Sequence, residues 1–161
     1  MTKLNETTKR GVGFGLTSGA ITTLGLITGL ASSTGSKEVV ISGIITIAIA
    51  DACSDALGSH ISEESADAND KNVWNITIAT FLTKFLFALT FLIPVIFLEQ
   101  KMGLIVSILW GFLVITILSY KLAKSNNDSP IKIIAEHLFM AIAVITISHY
   151  VGYFVSKLSS K

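Results

Sequence analysis

Five apolar runs, each close to the length that crosses a lipid bilayer, dominate this chain of 161 residues. A transmembrane helix needs roughly 20 consecutive, mainly apolar residues. The runs predict spans at about residues 10–31, 38–61, 74–98, 102–122 and 131–155. We therefore expect an all-α, polytopic membrane protein with five transmembrane helices in a single domain, residues 1–161, whose second helix extends into the cytoplasm to about Asp67.

The composition leaves no room for a separate soluble domain. Charged residues make up 14% of the chain, well below the roughly 25% that is usual in soluble proteins. The net charge is +1 and no basic arm is present, so we expect no nucleic-acid partner. The single cysteine, Cys53, excludes an internal disulfide and a multi-cysteine metal site.

The basic residues predict how the chain is oriented. Cytoplasmic segments of membrane proteins carry an excess of Lys and Arg. With the N-terminus inside, the cytoplasmic segments hold Lys3, Lys9, Arg10, Lys71, Lys121, Lys124 and Lys132, and the outer segments hold Lys37, Lys101, Lys157 and Lys161. We therefore expect a multi-pass protein of the cell membrane with a cytoplasmic N-terminus.

Small residues mark the first span as a helix that packs against protein. Gly11, Gly15 and Gly19 repeat every four residues, and this spacing lets membrane helices approach one another closely. The pattern leaves two interpretations open: packing within one chain, and a seam or pathway wall between two chains.

Two later spans carry weaker signals. Pro94 lies near the far end of the third span, where it should kink or end the helix. The fourth span is the most uniformly apolar of the five and is the best candidate for lipid contact.

Two aspartates, Asp51 and Asp55, lie within the apolar part of the second span. Four residues apart on a helix, they share a face. Carboxylates inside a membrane are costly and usually mark an ion path or a proton relay. At close range they repel by about 2–3 kcal/mol at an effective dielectric of 20, so at least one should hold a proton unless a cation is near. A divalent metal would displace that proton, and oxygen ligands suit Mn²⁺, Mg²⁺ or Fe²⁺.

Lys84 gives a second interpretation of the same two aspartates. It is the only basic residue deep within a predicted span, which makes it the obvious cation to neutralise one of them. A buried ion pair of this kind would only order the bundle. The two interpretations coexist if Lys84 is an internal counter-charge that a metal ion displaces.

Acidic and histidine side chains follow the second span. His60, Glu63 and Glu64 are spaced i, i+3 and i+4 on one helical face, and Asp67 adds to it. This face predicts a cytoplasmic site that collects metal ions, or else a solvated helix surface. Glu136, near the cytoplasmic end of the fifth span, is expected to pair with a lysine or to line the entrance.

Four segments occur in order between about residues 10 and 155: FGLTSGAITTLGLITGL, IADACSDALGSHISEES, TFLTKFLFALTFLIPVIF and HYVGYF. Together they resemble the vacuolar iron transporter family of divalent-metal/proton antiporters. The most specific part is a second-span motif made of Ala52, Cys53, Ser54, Ala56, Gly58 and Ser62. The resemblance implies a homodimer with a metal path at its interface, lined by the first two helices, and Fe²⁺ or Mn²⁺ leaving the cytosol in exchange for protons.

The chain also departs from the family pattern. The family's first-span aspartate falls on Ser18, its second-span methionine on Asp55 and its second-span glutamate on about Ile47, while Asp51 stands where a small residue is usual. The metal-binding insert between the second and third spans is reduced to about Ser65–Trp74. The resemblance is therefore to a short form that lacks the cytoplasmic insert and carries its acids on one helix.

We expect a transporter that exports a divalent metal, Fe²⁺ or Mn²⁺, from the cytosol by proton antiport. The expected metal-binding residues are Asp51, Asp55, His60, Glu63 and Glu64, and Ser18, Lys84 and Glu136 are candidates for the pathway or its counter-charge. The metal is substrate, no resident cofactor is expected, and the partners are the bilayer and a second copy of the chain.

The alternative is a non-transporting membrane scaffold, or interaction protein, with a structural Asp–Lys pair. An intramembrane aspartyl protease needs acids from two helices, whereas Asp51 and Asp55 share one, so we do not expect an enzyme.

Overall fold

The structure is a computed structural model that describes residues 6–66 and 69–159, and these residues form an all-α bundle without strands. The helices are α1 (Glu6–Thr34), α2 (Lys37–Glu64), α3 (Asp70–Thr90), α4 (Leu92–Phe97), α5 (Gln100–Asn126) and α6 (Pro130–Ser159). With α3 and α4 counted as one span, five helices in the described ranges are long and apolar enough to cross a membrane. The predicted multi-pass, all-α architecture is confirmed.

At nearly every end, the helices extend past the predicted spans. The reason is that a helix ends at its capping residues, which lie beyond the limits of the apolar run. The Ser36 hydroxyl accepts a hydrogen bond from the Val39 N–H at the start of α2. The Asn69 side chain caps α3 in the same way. Asn127 ends α5 in the left-handed conformation, with φ 58°. Helix α2 stops at Glu64, and Asp67 lies outside the described residues.

Pro94 interrupts the third span, as predicted. The break in the helix lies about one turn before the proline itself. Helix α3 ends at Thr90 and α4 begins at Leu92, so the break falls on Phe91. A proline has no N–H for the carbonyl four residues earlier, and its ring crowds that carbonyl. For Pro94 this is the carbonyl of Thr90, which accounts for the position of the break.

Helix α1 is the centre of the bundle. It packs against α2, α3, α5 and α6, and 44% of its most apolar 18-residue window is buried, against 11% for α6. The prediction that the first span faces protein is confirmed. The fourth span, α5, is not the helix most open to the surroundings. That helix is α6, because α5 packs against α1, α4 and α6, whereas α6 lies at the edge against α1 and α5.

The densest apolar packing lies around the second half of α1. The side chains that are at most 1% exposed include Leu24 and Ile27 of α1, Ile44 of α2, Ile115 of α5, and Phe91 at the break between α3 and α4. Close packing of these enclosed side chains stabilises this part of the bundle. The first half of α1 is rich in glycine, and it packs instead against α3 around Thr80 and Lys84.

Two glycines of that first half set the distance between α1 and α3. A Cβ atom added at Gly15 would lie 2.9 Å from the carbonyl oxygen of Thr80 and 3.1 Å from the backbone nitrogen of Lys84. At Gly11 it would lie 2.7 Å from the carbonyl oxygen of Ile76. These neighbours are backbone atoms, which move only if the helices separate. At both positions the glycine pattern is therefore explained by packing within one chain.

Gly15→Ala should destabilise the folded protein by about 1–3 kcal/mol, because the added methyl group overpacks the α1–α3 contact. Gly13 is a matched control in the same helix, since a Cβ atom there meets nothing within 4 Å. Gly13→Ala should leave stability unchanged or raise it by up to about 1 kcal/mol. Unfolding in detergent micelles measures both variants, and equal stability of the two would contradict the packing role of Gly15.

Candidate functional site

Four polar side chains from three helices meet in the middle of the bundle. Ser18 comes from α1, Asp51 and Asp55 from α2, and Lys84 from α3, and we call this group the charge cluster. At 1.5 Å per residue, Asp51 lies about 21 Å along α2 and Lys84 about 21 Å along the third span. Because the hydrocarbon core of a bilayer is about 30 Å thick, the cluster is placed well inside it.

Lys84 is the centre of the charge cluster. Its Nζ lies 2.6 Å from Asp51 Oδ2, donates a hydrogen bond to Ser18 Oγ at 2.9 Å and donates another to Asp55 Oδ2. The Ser18 hydroxyl in turn donates to Asp55 Oδ2 at 2.7 Å. The two aspartates are thus held differently. Asp55 accepts two hydrogen bonds, whereas the buried Oδ2 of Asp51 touches the ammonium without hydrogen-bond geometry.

The cluster has an excess of negative charge and an open side. Two carboxylates share one ammonium, so with all three ionised the formal charge is −1. The Lys84 side chain is 2% exposed, whereas those of Asp51 and Asp55 are 24% and 20% exposed. The ammonium therefore lies sealed behind the carboxylates. Lys84 pairs with both aspartates rather than with one, and it is the nearby cation that faces them.

Small residues on α1 and α2 make room for this cluster. Gly19 faces the lysine stem, and a Cβ atom there would lie 3.3 Å from Lys84 Cγ. On α2, Ala48, Ala52 and Ala56 are 1%, 0% and 6% exposed and form the buried stripe beside the aspartates. Short side chains let membrane helices approach closely. The carboxylates of α2 can therefore reach an ammonium that starts from the backbone of α3.

The structure does not gather His60, Glu63 and Glu64 into one site. His60 Nδ1 lies 3.0 Å from Thr77 Oγ1 on α3, and Glu64 is exposed. Glu63 is 8% exposed and pairs with Arg10 of α1 at 3.1 Å. Helix α2 packs against both α1 and α3, which also contact each other, so residues on neighbouring parts of one face reach different partners. Within residues 6–66 and 69–159, no three His, Cys, Asp or Glu side chains are placed to hold a metal ion.

Sequence reasoning missed the Arg10–Glu63 pair. The guanidinium is 62% exposed while the carboxylate is buried, and the two residues are 53 positions apart. A buried glutamate at the end of a helix has no local pattern that distinguishes it from an exposed one. The contact becomes visible only once the register between α1 and α2 is known.

Glu136 pairs with a residue of its own helix and not with the charge cluster. Its carboxylate lies 4.0 Å from Lys132 Nζ, one turn away on α6, and both side chains are more than half exposed. This agrees with the predicted lysine pairing. An exposed pair of this kind contributes about 0–0.5 kcal/mol, so it supplies a surface contact and no buried charge.

Removing the ammonium by Lys84→Met should destabilise the protein by about 3–5 kcal/mol, because two carboxylates are then left facing each other in a buried site. Lys132→Met is the matched control and should cost less than about 0.5 kcal/mol. Adding Asp55→Asn to Lys84→Met should recover part of the loss, with a coupling energy of about 0.5–3 kcal/mol. Chemical unfolding in micelles measures this cycle. Additive effects would show that the Lys84–Asp55 contact contributes nothing.

No family model, curated protein or solved structure matches this chain. The resemblance to the vacuolar iron transporters therefore stays a prediction, and the chemistry of the charge cluster is the basis on which its function is inferred.

Proposed function

We propose that the protein is a membrane transporter that moves a divalent metal cation out of the cytosol in exchange for protons. The observation that carries the proposal is the charge cluster, in which two carboxylates share one ammonium inside the membrane-spanning part of the bundle. Ionisable residues at this depth are costly and usually mark ion paths or proton relays. The proposed location is the cell membrane, with the N-terminus in the cytoplasm, as the distribution of basic residues favours.

The cluster contains what an exchange of cations requires. Asp51, Asp55 and Ser18 offer hard oxygen ligands, which suit Fe²⁺, Mn²⁺ or Mg²⁺. A metal ion that approaches from the open side of the carboxylates competes with the Lys84 ammonium behind them. When metal binds, the ammonium loses its proton to water, and when metal leaves, the amine takes a proton back. Occupancy by metal and by protons is then mutually exclusive, which is the condition for antiport.

The second α-helix also favours a homodimer. Ala50, Ser54, Gly58 and Ser62 follow one another at intervals of four residues, and all four are exposed. A Cβ atom at Gly58 would meet nothing within 4 Å, so packing within the chain does not explain this glycine. Small residues at this spacing are typical of close helix–helix contacts in membranes. The stripe adjoins the open side of the aspartates, and a second copy there would supply further oxygen ligands.

A second candidate function is a membrane scaffold that transports nothing. It is favoured by the way Lys84 already contacts both carboxylates, and by the lack of a three-residue metal group within the described residues. On this view the cluster only fixes how α1, α2 and α3 pack. The two candidates differ in what happens when Asp51 alone is neutralised.

Asp51→Asn separates them because it leaves the Lys84–Asp55–Ser18 contacts in place. We expect wild-type proteoliposomes to take up Fe²⁺ or Mn²⁺ when a pH gradient is imposed, and uptake to fall at least about tenfold in Asp51→Asn, since a carboxylate ligand is lost. The free energy of unfolding should change by much less than in Lys84→Met, because the buried ammonium keeps Asp55 as its counter-charge. Uptake is measured with Fe²⁺, Mn²⁺, Mg²⁺ and Zn²⁺ in parallel.

Asp128→Asn is the control, because Asp128 is exposed beyond the end of α5, and its uptake should equal that of wild type. If well-folded wild-type protein moves none of the four metals, or if Asp51→Asn transports as well as wild type, the transport mechanism is wrong. Loss of stability without any metal flux would favour the scaffold.

The dimer has its own test at Gly58. In a Cys53→Ser background, Ser54→Cys should form an intermolecular disulfide on mild oxidation, and Gly58→Leu should abolish it because the larger side chain separates the helices. Leu109→Cys, at a 62% exposed position on α5, is the negative control. Sedimentation in detergent should show a dimer for the parent and a monomer for Gly58→Leu. A monomeric parent would overturn the dimer.

A further inference from the structure

A groove of about 500 Å³ runs between α2 and α3 on the side of α2 that faces away from the aspartates. Its walls are almost entirely apolar, and they include Cys53, Leu57, His60, Trp74, Ile78 and Leu82. Its volume falls within the range of roughly 300–1,000 Å³ that is usual for small-molecule sites. Because both helices are membrane spans, the groove opens toward the acyl chains of the bilayer.

The polar end of the groove has a defined hydrogen-bond pattern. The Thr77 hydroxyl donates to the carbonyl of Val73 at 2.6 Å, so toward His60 Nδ1 it can only accept. When the imidazole is neutral, Nδ1 therefore carries the proton and Nε2 is an acceptor. No partner of Nε2 is found in the described part of the chain. The His60 ring also packs edge-on against Trp74, with centroids 5.1 Å apart, and this indole is 57% exposed.

Charges of both signs lie one helical turn beyond this polar end. Glu64 follows His60 by four residues on α2, and Lys71 precedes Trp74 by three residues on α3. Both are exposed, and neither takes part in an ion pair among the described residues. Residues at these spacings share a helix face. The mouth therefore combines a cation, an anion and a hydrogen-bond acceptor above an apolar groove, with a tryptophan of the kind that anchors at the membrane interface.

We propose that the groove binds one phospholipid whose headgroup carries a primary amine, as in phosphatidylethanolamine. Its acyl chain lies along Leu57, Ile78 and Leu82. Its phosphate pairs with Lys71, and its ammonium donates to the Glu64 carboxylate and to His60 Nε2. A choline headgroup has the same charge but no N–H to donate, and a glycerol headgroup has no ammonium. The proposal does not depend on metal transport.

The chain provides its own reporter for this test. It contains two tryptophans, so in a Trp110→Phe background the fluorescence comes from Trp74 at the groove. Nanodiscs of phosphatidylcholine would carry a minor fraction of lipid brominated on its acyl chains, with an ethanolamine, choline or glycerol headgroup. We expect Trp74 fluorescence to be half-quenched at a roughly fivefold lower fraction of the ethanolamine lipid than of the choline or glycerol lipid. One extra hydrogen bond would give a preference of this size. Glu64→Gln and His60→Phe should each reduce this preference. Glu99→Gln, exposed between α4 and α5, should leave it unchanged.

A second measurement uses the single cysteine, which is exposed and lines the groove. In detergent, added phosphatidylethanolamine should slow alkylation of Cys53 by N-ethylmaleimide roughly fivefold more than phosphatidylcholine does. Equal quenching and equal protection by the ethanolamine and choline lipids would mean that only bulk lipid touches the groove, and would overturn the proposal. A preference for the glycerol headgroup would overturn it too, as would a disulfide between the Cys53 residues of two chains, which would place a second copy in the groove.

Discussion

A buried ammonium in the middle of an apolar bundle needs counter-charges in direct contact, because water does not reach it there to solvate its charge. Lys84 is nearly inaccessible, and it contacts Asp51 and Asp55 at once. Bringing a charged group into such surroundings costs several kcal/mol unless its partners are in place. The positions of α1, α2 and α3 relative to one another are therefore coupled to this single contact. No one of the three helices can leave without exposing a buried charge.

That contact is possible only because the backbones come unusually close. Gly15 and Gly19 on α1 leave space for the backbone and the stem of Lys84, and the alanines of α2 bring the aspartates within reach. Larger residues at these positions would hold the helices apart and leave the lysine without partners. In a membrane, where apolar side chains gain little by leaving lipid for protein, packing of small residues and polar contacts together stabilise helix association. The charge cluster and the glycine pattern are two parts of one arrangement.

The sequence was sufficient to predict the spans and the charged members of the cluster, because both predictions follow from the free-energy cost of burying polar groups. Runs of apolar residues identify the helices, and Asp51, Asp55 and Lys84 stand out as charges within them. It was not sufficient for His60, Glu63 and Glu64. Their spacing gives their angles around α2, but it does not say which of them face α1 and which face α3. Glu63 therefore turned out to be buried against Arg10, and His60 to be bound to Thr77. Contacts of this kind depend on which helices pack against α2, and the periodicity of the α2 sequence does not reveal its neighbours.

The pair of Arg10 with Glu63 and the pair of Ser18 with Asp55 also have a geometric consequence. Each pair joins α1 to the antiparallel α2, and the second lies eight residues from the first along both helices. Both contacts thus belong to one alignment of the two helices. Sliding α1 along α2 by one turn, about 5.4 Å, would break both together, with no intermediate position that keeps either. Since Lys84 ties α3 to the same two helices, α1, α2 and α3 form one unit, and a motion that opens the bundle is expected where this unit meets α5 and α6.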